Sequence, residues 1–437
     1  MQDQVSDRAV VQAMLDVELA LSWALVHCGL APAEAATELA PACDASAFDL
    51  DALARSTAEQ GTPVPALLKG LRERVGDQAA AHLHRGATSQ DIVDTAIMLV
   101  ARRALAGVLD ELARAADACA ALAERHRDSV IVGRTLLQQA PPLTFGLKAA
   151  QWLAGLDGAR AELADVRERV LAVQLGGAVG TLAALGEAGL DVAADVAAQL
   201  ELADPGLPWH TIRLRPARLA SALGAALGVM SKVARDVVLL AQTEVGEAAE
   251  GGGDGRGGSS TMPHKRNPVG AVTVLACAQR GPGLVATVIS AMTQEHERAA
   301  GAWQSEWGTL IELLELTGAA AGSLSELLGA LEVDVGRMRS NLDASGDLAM
   351  TESVVTALAP RLGRSVAQHL VQEAVARSAS EGRSVRELLL ENADVAEALG
   401  EQGLDEALDP HRYLGVSGEL IDRALAAHRQ GGVIDGE

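Results

Sequence analysis

The stretch ARLASALGAALGVMSKVARDVVLLAQTEVGEAAE, residues 217–250, places apolar side chains at helical spacing over an unusual length. Alanine and leucine dominate it, and both are strong helix formers. Four other segments share the pattern, and each segment is roughly 30 residues long, against a usual helix length of about 11–12. These four segments cover residues 91–127, 142–173, 268–298 and 309–342.

Helices of this length must bury apolar faces against one another, so the five segments predict an elongated bundle. We find no strand-rich region, and aromatic residues are only 2% of the chain. The sequence therefore predicts an all-α protein with three helical domains. These are an N-terminal domain (1–95), the central bundle of five long helices (96–342) and a C-terminal domain (343–437).

Charge and cysteine content exclude several classes of function. Lysine and arginine total 36 against 58 acidic residues, a net charge of −22 that opposes nucleic-acid binding. The four cysteines form no C-x-x-C pair, which is typical of reduced thiols rather than a zinc site or disulfide framework. The ten histidines form no H-x-x-x-H pair, so we expect neither a metal nor a cofactor.

The chain also lacks the patterns that direct a protein to or through a membrane. The first residues, MQDQVSDRAV, contain no apolar signal core. The most apolar stretch, 269–292, is interrupted by Gln279 and Arg280, which argues against a membrane span. We expect a cytoplasmic protein that does not bind membranes.

The polar loop GGSSTMPHKRNP, residues 257–268, interrupts this helical pattern. A serine hydroxyl acts as a base only when cations and backbone N–H groups stabilise its alkoxide, and this loop offers both. The predicted catalytic loop is 251–268, whose glycines would let it close over a substrate. The alternative is a solvated loop with scattered charge.

Two further polar stretches precede predicted long helices. In HRGATSQD, residues 84–91, Thr88 and Ser89 could cap a helix or bind a substrate carboxylate at its N-terminus. The stretch GRTLLQQ, residues 133–139, is expected to be a turn and cap before the second long helix, or a second set of substrate contacts.

Together, these three motifs resemble the fumarase/aspartase superfamily, whose signature GSSxMPxKxNP stands complete at 258–268. The resemblance covers essentially the whole chain. It implies a homotetramer with a 20-helix core, in which three subunits form each active site. It also implies that Ser259 is the catalytic base and that Lys265 and Asn267 hold the substrate carboxylate. The predicted substrate-binding residues are His84, Thr88, Ser89, Gln138, Gln174, Arg213, Ser260, Met262, Lys265 and Asn267.

Closer matches resemble the 3-carboxy-cis,cis-muconate cycloisomerase branch, whose enzymes interconvert 3-carboxymuconate and a muconolactone in the aromatic catabolism of the β-ketoadipate pathway. The partner implied is a small anionic di- or tricarboxylate. The matching stretches are SDRAVVQAMLDVELAL near the start, QLGGAVGTLAALG at 174–186, PWHTIR at 208–213, EHERAAGAWQSEW at 295–307 and LDPHRYLGVSGELIDRAL at 408–425.

Leu136 gives an independent argument about the leaving group. Adenylosuccinate and argininosuccinate lyases carry a histidine at this place, and leucine cannot transfer a proton. A carboxylate, with a pKa of roughly 4, leaves without an acid, so Leu136 favours lactone chemistry. It fits nitrite release from nitrosuccinate equally well.

Two departures from the pattern bear on the pocket: Leu214 stands where the branch has an acidic residue, and Thr62 stands where asparagine is common. A crystallin-like protein without activity is a remote alternative, against which the intact Ser259, Lys265 and Asn267 argue.

Overall fold

The computed structural model describes residues 2–251, 257–258, 262 and 265–431. The predicted base Ser259 and its neighbour Ser260 lie outside the described residues. Within them, the helices in chain order are α1 Gln2–Val5, α2 Asp7–His27, α3 Ala33–Leu39, α4 Leu50–Gln60, α5 Val64–Arg72, α6 Asp77–His82, α7 Ser89–Arg125, α8 Phe145–Asp165, α9 Gly189–Leu200, α10 Leu214–Leu240, α11 Val269–Ser290, α12 Ala302–Gly329, α13 Val335–Ala344, α14 Thr351–Leu362, α15 Arg364–Glu381, α16 Val385–Leu390, α17 Ala393–Ala398, α18 Gly400–Leu408 and α19 Ser417–Arg429.

The protein is all-α as predicted, and helices α7, α8, α10, α11 and α12 correspond to the five predicted long segments. Helices α8 and α11 end at Asp165 and Ser290 rather than near residues 173 and 298, and α10 and α12 fall further short of their predicted ends. Helix α10 stops at Leu240 rather than near residue 250, and α12 stops at Gly329 rather than near residue 342. Past these ends the chain forms short strands that pair with each other, β3 Ala248–Glu250 and β4 Leu331–Val333.

The stretch 133–139 is a β-hairpin, so the prediction of a turn and cap at a helix start is wrong. Strand β1, Val130–Thr135, pairs antiparallel with β2, Gln138–Thr144, and α8 begins only after β2. Its turn residues Leu136 and Leu137 have positive φ angles of 50° and 66°. Such turns usually carry Asn-Gly or Asp-Gly, so two leucines gave no hairpin signal.

The chain divides into two compact units, and the long helices contribute residues to both. Unit 1 comprises Met1–Ala113, Gly158–Ala234 and Val272–Ser325. Unit 2 comprises Arg114–Asp157, Arg235–Ala271 and Glu326–Glu437. The three-domain division with boundaries near residues 95 and 342 stays a prediction.

Helix starts in both units carry the polar caps that their sequences suggest. In unit 1 the Ser6 hydroxyl accepts from the Ala9 N–H at the start of α2. In unit 2 the Glu250 carboxylate accepts from the N–H groups of Gly270 and Ala271, at 3.0 and 2.8 Å, and so caps α11. This cap ties the end of β3 to the first turn of the helix that follows the signature loop.

Two described helices, α2 and α11, are long and apolar enough to cross a membrane by length and composition alone. Helix α2 is 61% buried within the protein over its most apolar part, as expected of a core helix. The corresponding value for α11 is only 22%, and Val272 and Ile289 are among its exposed apolar side chains. The cytoplasmic location stays a prediction.

Candidate functional site

In unit 1, His84 lies just before α7 and is held by a buried carboxylate. Its Nδ1 atom lies 2.6 Å from Oε1 of Glu18, whose side chain is fully buried. Burial lowers the pKa of His84, but the charge and hydrogen bond of Glu18 outweigh this effect and the net shift is upward. His84 also adopts a positive φ of 61°, which is unusual for a residue with a side chain.

Thr88 and Ser89 lie at the N-terminus of α7, as predicted, and both are half-buried. The Asp91 carboxylate accepts from the Thr88 N–H at 2.9 Å, so the reciprocal part of a capping box is present. Neither hydroxyl makes a hydrogen bond to any residue that the structure describes. Both are therefore available to a ligand beside the positive end of a long helix, which suits a carboxylate.

Asp91 joins three sequence motifs at one buried carboxylate. Its Oδ1 lies 2.7 Å from His210 Nε2 and accepts from the Gly176 N–H at 3.0 Å. Its Oδ2 accepts from the Gly177 N–H at 2.9 Å. The stretches beginning at 84, 174 and 208 are thus assembled around one acidic side chain, which sequence reasoning did not assign.

Two glycines allow the loops around this carboxylate to approach closely. Gly86 and Gly177 both have positive φ angles, of 81° and 71°. A Cβ on Gly86 would lie 2.5 Å from the Leu185 side chain, and one on Gly177 would lie 2.9 Å from the Gly86 carbonyl oxygen. Neither position accommodates a side chain without displacing the loops.

Arg213, a predicted substrate contact, is buried between two acidic side chains. Its guanidinium donates to both oxygens of Asp94, at 2.7 and 3.0 Å, and to Oε2 of Glu306 at 2.5 Å. The Nε–H also points to Glu306, at 3.1 Å. These bonds occupy the guanidinium fork from both sides, which favours a structural role over substrate binding. The role of Arg213 as a substrate contact stays a prediction.

The same contacts set the ionisation of this cluster. Burial alone would lower the pKa of Arg213, but attraction and hydrogen bonds from Asp94 and Glu306 raise it. Burial raises the pKa of the Glu306 carboxyl, Arg213 opposes that shift, and repulsion from Asp94 adds to it. The Trp303 Nε1–H also donates to Asp94, at 2.9 Å. The arginine therefore stays charged and holds two buried acids together.

Gln174 is likewise engaged with the scaffold. Its Oε1 accepts from the Trp209 N–H at 2.7 Å, and its backbone N–H and C=O both bond to the Thr95 hydroxyl, at 2.9 and 3.0 Å. It is fully buried. Its substrate-binding role stays a prediction, and its observed contacts position the loop that follows it.

Arg298, which sequence reasoning missed, links two of the motifs. Its guanidinium donates to Oε1 of Gln90 at 3.0 Å and to the carbonyl oxygen of Ala178 at 2.7 Å. It lies in the stretch EHERAAGAWQSEW, residues 295–307. The signal in the sequence is the residue type itself, because arginine is suited to binding carboxylates.

In unit 2, the described part of the signature loop is closed at its base. The backbone N–H and side-chain Nδ2 of Asn267 both donate to the Gly257 carbonyl oxygen, at 2.8 and 3.0 Å. The side chains of Lys265 and Met262 are exposed. Both of these Asn267 donors therefore serve the loop itself, while Lys265 is exposed to solvent.

The hairpin of unit 2 is anchored below its turn. Arg134 donates to both oxygens of the buried Glu247 at 2.8 Å, and Asn341 donates to one of them at 2.8 Å. Gln138, a predicted substrate contact, is exposed at the start of β2, and Leu136 beside it is 97% exposed. Gln138 also lines a cavity of about 460 Å³ in unit 2, whose walls include Leu137, Leu348 and Glu352.

No group of three or more His, Cys, Asp or Glu side chains in the described ranges is placed to hold a metal ion. The absence of a cofactor stays a prediction. In unit 1, His84 with its raised pKa and the two hydroxyls at the N-terminus of α7 suit an anionic ligand. In unit 2, the exposed Lys265 does so as well.

These features define an all-α protein with two half-buried hydroxyls at the N-terminus of α7, and comparison with known proteins identifies its class. Residues 1–282 match a family described as lyase, and residues 347–424 match the adenylosuccinate lyase C-terminus. The chain belongs to this family, within the fumarase/aspartase superfamily.

Particular relatives narrow the comparison. The chain is 46% identical to a 3-carboxy-cis,cis-muconate cycloisomerase of Bradyrhizobium diazoefficiens, over 96% of this chain and 94% of the relative. It is 42% identical to a nitrosuccinate lyase of Streptomyces davaonensis, over 96% and 91% of the two chains. The crystal structure of a 3-carboxy-cis,cis-muconate lactonizing enzyme from Pseudomonas putida superposes with a TM-score of 0.90 and 41% identity, covering 98% of this chain and 97% of that one.

Proposed function

We propose that the protein is a 3-carboxy-cis,cis-muconate cycloisomerase that interconverts 3-carboxymuconate and carboxymuconolactone in aromatic catabolism. The observation that carries this proposal is the 46% identity to the Bradyrhizobium cycloisomerase over nearly the full length of both chains. A substrate with several carboxylates agrees with the unpartnered hydroxyls at the start of α7 and with the raised pKa of His84.

In the proposed mechanism, Ser259 removes a carbon-bound proton next to a substrate carboxylate. Lys265 and Asn267 stabilise the negative charge that develops on that carboxylate as the proton leaves. The hydroxyls of Thr88 and Ser89 at the start of α7 bind another carboxylate of the substrate. In the direction of lactone opening, the ring carboxylate leaves as a stable anion, so the position of Leu136 needs no acid.

We propose a homotetramer in which three subunits contribute to each active site, as the superfamily resemblance implies. The exposed apolar side chains of α11 support an association of subunits through this helix, because an apolar face of this extent is normally covered. Light scattering at micromolar protein concentration should give the mass of four chains. A stable monomer would contradict the assembly and the sharing of active sites.

The second candidate function is nitrosuccinate lyase activity. The 42% identity to the Streptomyces enzyme favours it, and Leu136 accommodates nitrite release as well as carboxylate release. Release of an amine from adenylosuccinate or argininosuccinate is less favoured, because Leu136 cannot protonate a nitrogen leaving group.

A panel of four substrates tests these alternatives. Purified protein is incubated separately with 3-carboxymuconate, nitrosuccinate, adenylosuccinate and argininosuccinate, and each reaction is followed by absorbance or mass. We expect turnover of 3-carboxymuconate, with the Ser259→Ala variant as the control for enzyme-catalysed conversion. Turnover of nitrosuccinate alone would replace the proposed activity by the second candidate.

A further inference from the structure

The pair formed by Glu18 and His84 is not explained by folding needs alone. Glu18 lies on α2, 66 positions from His84, and its side chain is fully buried. Its Oε1 contacts His84 Nδ1, and its Oε2 has no hydrogen-bond partner among the described residues. A buried carboxylate with one partner is costly, so a sequence selected only for stability would favour an apolar residue here.

The orientation of the imidazole decides which of its ring nitrogens can meet a ligand. Because Nδ1 faces Glu18, the other ring nitrogen, Nε2, points away from it, and Nε2 makes no hydrogen bond to any described residue. Nε2 has a proton to donate only when the imidazole is charged. In the neutral ring with its proton on Nδ1, Nε2 carries a lone pair instead. A lone pair would repel a carboxylate, whereas an N–H donor would bind it.

We propose that Glu18 is a positioning residue that holds His84 as an imidazolium, so that its Nε2–H donates to a carboxylate of the substrate. This inference rests on the proposed function, which supplies a substrate with several carboxylates. It adds Glu18, a residue far from the motifs in sequence, to the determinants of substrate binding.

The proposal implies a defined pH dependence. The charged groups that act on His84 are Glu18 on α2, Asp91 on α7 and Arg72 on α5; the two acids raise its pKa and Arg72 lowers it. A raised pKa keeps His84 charged to higher pH. The substrate therefore binds with full affinity below that pKa, and the affinity falls as the pH rises through it. Without the Glu18 charge, the effect of burial dominates and lowers the pKa of His84. The loss of substrate affinity then moves to lower pH.

The first measurement needs no substrate. Diethyl pyrocarbonate reacts with neutral imidazole, so the rate of His84 modification against pH, read by peptide mass spectrometry, reports the protonation of this histidine. The Glu18→Gln variant keeps the size of the side chain and removes its charge. The control is Asp16→Asn, which removes a carboxylate from the same helix where it pairs with Arg103 at 2.7 Å.

We expect the midpoint of modification to move to lower pH in Glu18→Gln and to stay at the wild-type value in Asp16→Asn. The KM for 3-carboxymuconate at neutral pH should rise roughly tenfold in Glu18→Gln with a smaller change in kcat, as for loss of a charge-assisted hydrogen bond. An unchanged midpoint in Glu18→Gln would overturn the proposal.

A lowered midpoint with unchanged KM would also overturn it, because His84 would then be charged without serving the substrate. If wild-type protein turns over none of the four substrates, the proposed function fails. The modification profile still decides separately whether Glu18 controls the charge of His84.

Discussion

Unit 1 and unit 2 hold their candidate residues in opposite ways. In unit 1, Arg213 and Gln174 are buried and bonded to side chains or backbone on other elements. In unit 2, Lys265 and Met262 are exposed next to a loop base that Asn267 closes on Gly257. A polar residue in a motif can therefore either build the scaffold or meet the ligand, and burial with satisfied hydrogen bonds separates the two roles.

The largest effect should follow from Ser259→Ala, in the signature loop of unit 2. Loss of a general base is expected to lower kcat by roughly 10²–10⁴-fold, because the serine alkoxide that takes the proton can no longer form. The thermal unfolding midpoint should stay at the wild-type value. Steady-state kinetics with 3-carboxymuconate and calorimetry measure the two effects. A variant with near-wild-type kcat would show that Ser259 is not the base, and Ser260 or His264 would be the next candidate.

In unit 1, Arg213→Leu should act on stability instead. Removing the guanidinium leaves Asp94 and Glu306 buried without a counter-charge, a loss expected to cost about 3–5 kcal/mol. Denaturant unfolding measures it. The matched control is Arg218→Leu on α10, the helix that begins directly after Arg213. There the exposed pair with Asp165 at 3.3 Å should contribute about 0–1 kcal/mol.

If the Arg213→Leu variant had the wild-type free energy of unfolding and only a higher KM, burial with satisfied hydrogen bonds would not separate scaffold residues from ligand contacts. In that case Arg213 would be the substrate contact that its motif predicts, and its two acidic partners would have to be satisfied in another way.

The sequence predicts the long helices and locates the motifs, but it does not show which polar side chains of the motifs are buried. The five long helices follow from the apolar period of alanine and leucine, and the three motifs were located because their polar residues interrupt it. The partners of Arg213 could not be found this way, since Asp94 and Glu306 lie 119 and 93 positions away. Only folding brings them together, and only folding decides which side of a loop a polar side chain faces.

The hairpin β1–β2 was missed for a different reason. Its β-branched start, Val130-Ile131-Val132, is short, and its turn is made by leucines with positive φ angles. Local propensity opposes that turn. Tertiary contacts outweigh it, because the buried Glu247 binds Arg134 next to the turn.

A smaller effect should follow from Lys265→Met in the signature loop. If the ammonium holds the substrate carboxylate, its loss should raise KM roughly tenfold or more, since a hydrogen bond to a charged group is removed. Stability should not change, because the side chain is exposed. Arg266→Met is the control, as Arg266 is the neighbouring cation and faces the exposed Glu332 at 3.4 Å. Equal effects in both variants would indicate general charge attraction rather than a specific contact.

The smallest effect is expected at the hairpin turn, from Leu136→His. If the leaving group departs as an anion, no acid is needed here, and kcat should stay the same or fall because a polar ring would lie against an apolar part of the substrate. If a nitrogen base leaves instead, the imidazole should raise kcat, with a pH profile near pKa 6.5. Leu137→His is the control, because Leu137 shares the turn and the positive φ. A rise in kcat confined to Leu136→His, with that pH profile, would show that the leaving group requires a proton and that carboxylate release is not the native reaction.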